Sequence, residues 1–252
     1  MTASNSIGVK RASSPACRVS KGVGRVGKCF SYYTKEMVPV SSAHTIALFG
    51  ATGRTGRHVL EQVLAAGCTA RVLARKPGSV AGIPGRITVI LGDVLDRTAV
   101  DETVRGADAV VSVFGHVAGS PSALQTEGTR NIVDAMKTHT VARVVSLSGG
   151  GLPVPQDKPK AADHIIRFLL ERLSPQVLRD AHGHLDVLRA SGLDWTVVRA
   201  PRLTDASAVG SYRVGWVGVN ASTQIARADL ATCIVAQIDD RTFVHQLPFV
   251  SR

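Results

Sequence analysis

The rhythm of apolar and polar positions changes near residue 44. Residues 1–43 show neither an alternating nor a helical spacing over a useful window. From Thr45 onward, short and nearly continuous apolar runs recur at 45–49, 70–74, 87–91, 109–114 and 142–147. Runs of this length and composition are those of strands buried on both faces. The segments between them keep helical spacing. Over 54–66, Val59, Leu60, Val63 and Leu64 share one face and Gly67 ends the pattern. Similar helices are expected at about 98–105 and 123–139. Strands alternating with amphipathic helices predict an α/β fold, a Rossmann-type doubly wound parallel sheet with helices on both faces. The second half is less regular, with helices expected at 163–173, 176–191 and 228–237 and strands at 195–198 and 243–250. No linker interrupts it. Residues 44–252 therefore read as a single domain, with a substrate pocket in its C-terminal part.

Composition narrows the function classes. With 44% hydrophobic and 19% charged residues, the 252-residue chain can bury a sizeable core. No apolar run approaches the ~18 residues of a membrane span. Cys17, Cys29, Cys68 and Cys233 have no Cys-x-x-Cys spacing, so free thiols and a cytoplasmic location are expected. The net charge of +11 is unevenly placed: in residues 1–36, seven bases against Glu36 alone account for +6, leaving +5 for the rest. A mildly basic body with only 4% aromatics argues against nucleic acid as a partner and for a small-molecule substrate. Residues 1–43 read as a disordered basic extension; an addition from an upstream start, a natural tail and an organellar transit peptide all fit that composition. Oligomeric state is left open between monomer and dimer.

The chemistry concentrates at Gly50-Ala51-Thr52-Gly53-Arg54-Thr55-Gly56, between the first buried strand and the first helix. Glycines there let backbone approach a pyrophosphate, and the helix start offers free N–H groups and a positive dipole end. A dinucleotide site is expected. Its type is read about 20 residues further on, where an acid would bond a ribose 2′-hydroxyl. Here Arg75 and Lys76 occupy the end of the second strand, and no acid lies between Gly67 and Asp93. Two cations suit a 2′-phosphate, with Arg54 as a third contact, so NADPH is the expected cofactor.

These segments carry a resemblance. Ile46-Ala-Leu-Phe-Gly-Ala-Thr-Gly-Arg-Thr-Gly56, Leu91-Gly-Asp-Val-Leu-Asp96, Glu127-Gly-Thr-Arg-Asn-Ile-Val133, Ser191-Gly-Leu-Asp-Trp-Thr-Val-Val-Arg-Ala-Pro201 and Ile225-Ala-Arg-Ala-Asp-Leu-Ala231 are similar to the atypical short-chain dehydrogenase/reductase family. The likeness covers about residues 44–250 and is greatest to the NAD(P)H-binding, NmrA-like branch, within it to the biliverdin-IXβ and flavin reductase group. It implies that Asp93 and Val94 flank the adenine, that Gly115 and His116 border the nicotinamide, and that Ser148 lies beside it. Pro201, Arg202 and Leu203 would line the substrate side.

One departure matters. The only tyrosines are Tyr32, Tyr33 and Tyr212, and none is followed four residues later by lysine. The Tyr-x-x-x-Lys acid pair of most short-chain dehydrogenases is therefore missing. Flavins, quinones and extended tetrapyrroles can take a hydride while solvent supplies the proton, which makes a reductase of a flat conjugated acceptor the leading reading. An NADP(H)-binding redox sensor without turnover is the alternative. Ser148 and His182 remain as polar groups for catalysis, and Gly149 and Gly150 let backbone approach the substrate. Ser148 lacks the Gly-x-Ser-x-Gly elbow of a hydrolase. His182 and His184, two apart on a helix, point to different faces, so no metal is expected.

Overall fold

The structure, a computed structural model, describes residues 31–34 and 44–252. Its elements in chain order are β1 (Ser31–Thr34), β2 (Thr45–Phe49), α1 (Arg54–Ala65), β3 (Thr69–Ala74), β4 (Arg86–Leu91), α2 (Arg97–Val104), β5 (Ala109–Ser112), α3 (Leu124–Thr138), β6 (Arg143–Gly149), α4 (Ala161–Leu173), α5 (Pro175–Arg189), β7 (Asp194–Ala200), β8 (Arg202–Thr204), β9 (Ser211–Gly215), β10 (Gln224–Ala226), α6 (Arg227–Ala236) and β11 (Phe249–Ser251). Nine strands form one sheet in the order β1-β9-β11-β7-β6-β5-β2-β3-β4. From β4 to β11 all neighbours are parallel; β9 runs antiparallel to β11, and β1 antiparallel to β9. The expected doubly wound sheet is present.

Alternation along each strand builds two cores. On one face Ile46 and Leu48 of β2, Val111 of β5 and Val145 of β6 pack with Val59, Leu60 and Val63 of α1 and Leu230 and Ile234 of α6. On the other, Ala47, Phe49, Val110 and Val144 pack with Val100 of α2, Ile132 and Met136 of α3, and Leu185 and Leu188 of α5. Two covered faces explain why these strands read as continuous apolar runs. The chain leaves β2 for β3 and β4 on one side, then returns to place β5 on the other. A crevice opens between the C-terminal ends of β2 and β5, where such sheets bind ligands.

Several boundaries differ from expectation. β5 stops at Ser112 rather than 114, and 243–250 contributes only a bridge at Gln246 and the short β11. Three short strands, β8, β9 and β10, lie in the stretch with no clear periodicity. Most of the expected extension over 1–43 lies outside the described residues. Within it, Ser31–Thr34 pairs in register with Ser211–Val214, which corrects the reading of that segment as patternless. Its Ser-Tyr-Tyr-Thr composition suits a strand, but four residues are too few for a periodic signal. No helix among the described residues is long and apolar enough to cross a membrane.

Candidate active site

The glycine loop closes by local contacts. Gly53 N–H donates to Gly50 O at 3.0 Å, and Arg57 N–H to Gly53 O at 2.9 Å. Gly50 has φ +88°, and a Cβ there would lie 2.6 Å from the backbone nitrogen of Phe114, so the loop presses directly on the end of β5. A Cβ on Gly56 would fall 2.0 Å from Gly50 O, so α1 sits flush against the turn. At Gly53 the nearest atom to a Cβ would be Gly50 O at 3.3 Å. Gly53 caps α1 without a side-chain bond, and no acid occupies the first turn. The leading N–H groups of the helix are thereby left for an anion. α2 contrasts with it, since Asp96 accepts from Thr98 N–H and Ala99 N–H.

Beside the loop lies a cleft of about 350 Å³. Of the residues expected at the cofactor, Gly50, Thr52, Arg75, Asp93, Val94 and Gly115 all line it. Phe49, Leu73, Phe114 and Leu124 give it an apolar wall. Its floor is set by residues that the sequence reading did not single out. A Cβ on Gly92 would meet Ala99 at 2.3 Å, and one on Gly128 would meet Val94 and Phe114 at 2.8 and 2.9 Å. Buried Asn131 donates from Nδ2 to Val94 O at 3.0 Å, fixing the strand-end turn. Arg75 and Lys76 are exposed. Arg54 is turned elsewhere, its guanidinium 3.2 Å from Asp205, which also pairs with buried Arg227 at 2.5 Å. Thr55 is buried under the first turn.

Ser148, expected beside the nicotinamide, is buried near the end of β6 and is not among the residues lining the cleft; its hydroxyl makes no hydrogen bond among the described residues. Gly149 faces open space, since a Cβ there would touch nothing within 4 Å. Gly150 has a packing task instead: its Cβ would meet the Phe249 ring at 2.9 Å, and its N–H donates to Ala200 O. Arg202 and Leu203 belong to β8, which pairs with β10 away from the main sheet. Arg202 donates to Gln224 Oε1 at 2.7 Å, while Leu203 packs on the α1 and α6 core. Neither joins the cleft lining.

His182 is exposed on α5 and joins no polar group of the site. Two residues to either side of it, Asp180 and His184 face inward because they share the stripe of Ala181, Leu185 and Leu188. His184 is enclosed, with Nδ1 2.7 Å from Thr129 Oγ1 and Nε2 3.1 Å from Ser146 Oγ. Burial pushes its pKa down to about 4 against the opposing pull of Asp180. Asp180 accepts from Gln125 N–H and Thr126 N–H at the start of α3 and lies 2.7 Å from His116 Nε2. Asp180 and His184 are thus enclosed, while His182, on another face of α5, is exposed.

The loop after β6 is anchored by a buried ion pair. Arg199 of β7, with no exposure, donates to both carboxylate oxygens of Asp157 at 2.8 and 2.9 Å and to Leu152 O and Leu247 O. Asp157 also accepts from Val154 N–H and Val217 N–H, at 3.0 Å each. Burial pushes its carboxyl up, but the bonds and charge of Arg199 with the two amides reverse this and hold it below the usual range. A charged residue inside an apolar strand run was the available signal for this pair.

Known proteins share the fold and the family of this chain. The chain is 31% identical over 196 residues to a (4-alkanoyl-5-oxo-2,5-dihydrofuran-3-yl)methyl phosphate reductase from Streptomyces griseus, covering 78% of this chain and 59% of that protein. A short-chain dehydrogenase/reductase from Veillonella parvula, solved in complex with NADP, superposes with a TM-score of 0.68 at 19% identity, covering 83% of this chain and 94% of the other. ChuY, an anaerobillin reductase from Escherichia coli O157:H7, gives 0.64 at 20% identity, covering 82% and 96%. Residues 50–241 match the family described as NAD(P)H-binding. With that match spanning most of the domain, on a fold shared with short-chain dehydrogenases/reductases, the chain belongs to the NAD(P)H-binding family.

Proposed function

We propose that the protein is an NADPH-dependent reductase delivering a hydride to a flat conjugated acceptor of flavin, quinone or tetrapyrrole type. The observation that carries the cofactor choice is Arg75. It lines the cleft, Lys76 follows it, and the chain from 68 to 92 offers no carboxylate to a bare ribose hydroxyl. In this reading the α1 amides and Gly53 take the pyrophosphate, Asp93 and Val94 flank the adenine, and Gly115 and His116 border the nicotinamide. When bound, NADPH supplies the hydride. The chain's part is to hold the acceptor close and exclude water. Ser148, with its free hydroxyl, and the open backbone of Gly149 suit the acceptor's edge. The two named reductases among the relatives support the same class of reaction.

The test follows NADPH absorbance while FMN, a quinone and biliverdin are offered in turn, alongside NADPH and NADH affinities from fluorescence. Consumption with at least one acceptor, and tighter binding of NADPH than NADH, is expected. Tight binding without consumption above background for any acceptor would make the protein an NADP(H) sensor instead.

A further inference from the structure

His116 stands on the loop after β5 between Gly115 and Val117, which line the cleft, while its own side chain lies outside that lining and turns toward α5. Its side chain is 15% exposed, and Nε2 lies 2.7 Å from Asp180 Oδ2. Its Nδ1 makes no hydrogen bond among the described residues. Asp180 is held from several sides. The same Oδ2 accepts from Gln125 N–H at 2.7 Å, and Oδ1 accepts from Thr126 N–H at 2.8 Å and from Thr126 Oγ1 at 2.6 Å. Its side chain has no solvent exposure. Burial would push this carboxyl up, but the donors of Thr126, Gln125 and His116 more than compensate and hold it low. An ionised carboxylate only accepts, so His116 Nε2 must carry the N–H, and its lone pair is left at Nδ1. The carboxylate is pinned to the N-terminus of α3 and cannot follow the ring. It therefore fixes the ring, as the carboxylate of a catalytic triad fixes its imidazole.

We infer that His116 is the proton donor of the reductase reaction and Asp180 its positioning residue, a role that rests on the reductase reading above. The balance is simple. The hydride takes two electrons and one hydrogen from the dihydronicotinamide to the acceptor, leaving the oxidised cofactor. A proton taken up from solvent at Nδ1 passes to the acceptor heteroatom as the second hydrogen. The ring left behind is the Nε2–H tautomer, the form whose N–H Asp180 accepts. His116 and Asp180 thus fill the place vacated by the missing Tyr-x-x-x-Lys pair.

The experiment uses the full chain with the acceptor that supports NADPH consumption. Nitrogen NMR on labelled histidine should find neutral His116 as the Nε2–H tautomer, and Asp180→Asn should mix the tautomers. His116→Gln, which leaves the α3 cap intact, should keep NADPH affinity and acceptor KM while kcat falls ~10²–10⁴-fold, the usual share of general acid catalysis. The solvent deuterium isotope effect on kcat should change with it. Wild-type kcat in His116→Gln, or an Nδ1–H tautomer in the wild type, would overturn the proton-donor role while leaving the reductase reading in place. Absence of NADPH consumption by the wild type with every acceptor would overturn both.

Discussion

Replacing Asp157 by Asn removes the charge from a pair whose arginine has no access to water. Asn can offer one oxygen where Asp157 offers two to Arg199, and its amide nitrogen would face one Arg199 nitrogen and the N–H of either Val154 or Val217. Breaking one side of a buried pair costs about 3–5 kcal/mol, and the retained oxygen argues for the lower end, about 3 kcal/mol. For a chain of this size ~1 kcal/mol moves Tm by ~2–4 °C, so Asp157→Asn should melt roughly 6–12 °C below wild type. The pH dependence has a definite sign. A carboxyl held low in the folded state contributes stability that is present above its unfolded value near ~3.9 and lost as pH falls through its folded value. The gap between the two proteins should stay constant above that range and close only below it. Differential scanning calorimetry across pH supplies both readings. The same variant should raise the KM for the acceptor and leave NADPH affinity unchanged, because Asp157 ties down the loop beyond Gly149 and is absent from the cleft lining. A Tm loss under ~2 °C, or a gap that widens on acidification, would refute the reasoning.

Other perturbations test the remaining parts. Arg75→Asp should weaken NADPH by ~10- to 100-fold and NADH much less, since one charge-assisted contact is worth ~1.5–3 kcal/mol; equal losses in a fluorescence titration would remove Arg75 from the 2′-phosphate. Gly56→Ala should lower Tm because its Cβ would meet Gly50 O at 2.0 Å, whereas Gly53→Val, with more room, should keep the fold and lose the cofactor. His184 is neutral when folded and near ~6.5 when unfolded, so its contribution to stability is lost as pH falls below ~6.5, at up to ~1.4 kcal/mol per unit; His184→Gln should flatten the pH dependence of Tm between about 6 and 5. Truncation after Thr34 should melt several degrees lower than truncation before Ser31, since only the former removes the pairing with β9; identical melting points would show that β1 adds nothing.

Part of the site was legible because its cause is local. The glycine loop is recognised by the strand before it and the helix after it, and Arg75 by its distance along the chain. The parallel strands announced themselves because burial on both faces leaves little room for polar residues. Asp180 and His184 were harder to place. They share the apolar stripe of α5, yet a polar residue in such a stripe looks the same whether it meets solvent or a buried partner. Their partners Gln125, Thr126 and Thr129 lie 54 or 55 residues away. Arg202 and Leu203 look like pocket residues after β7, but pairing with β10 turns them aside.

The sequence by itself determined the alternation of buried strands and amphipathic helices, the position of the glycine loop between strand and helix, and the sign of charge at the end of β3. These follow from side-chain period and backbone freedom within a dozen residues. Only the tertiary structure decided which of the two α5 histidines is enclosed and that Gly150 packs against Phe249. It alone brought Asp157 to Arg199 and Asp180 to His116, and set Ser31–Thr34 against β9. Those contacts join segments far apart in the chain. Their energy comes from desolvation and hydrogen bonding between elements, which no local periodicity records.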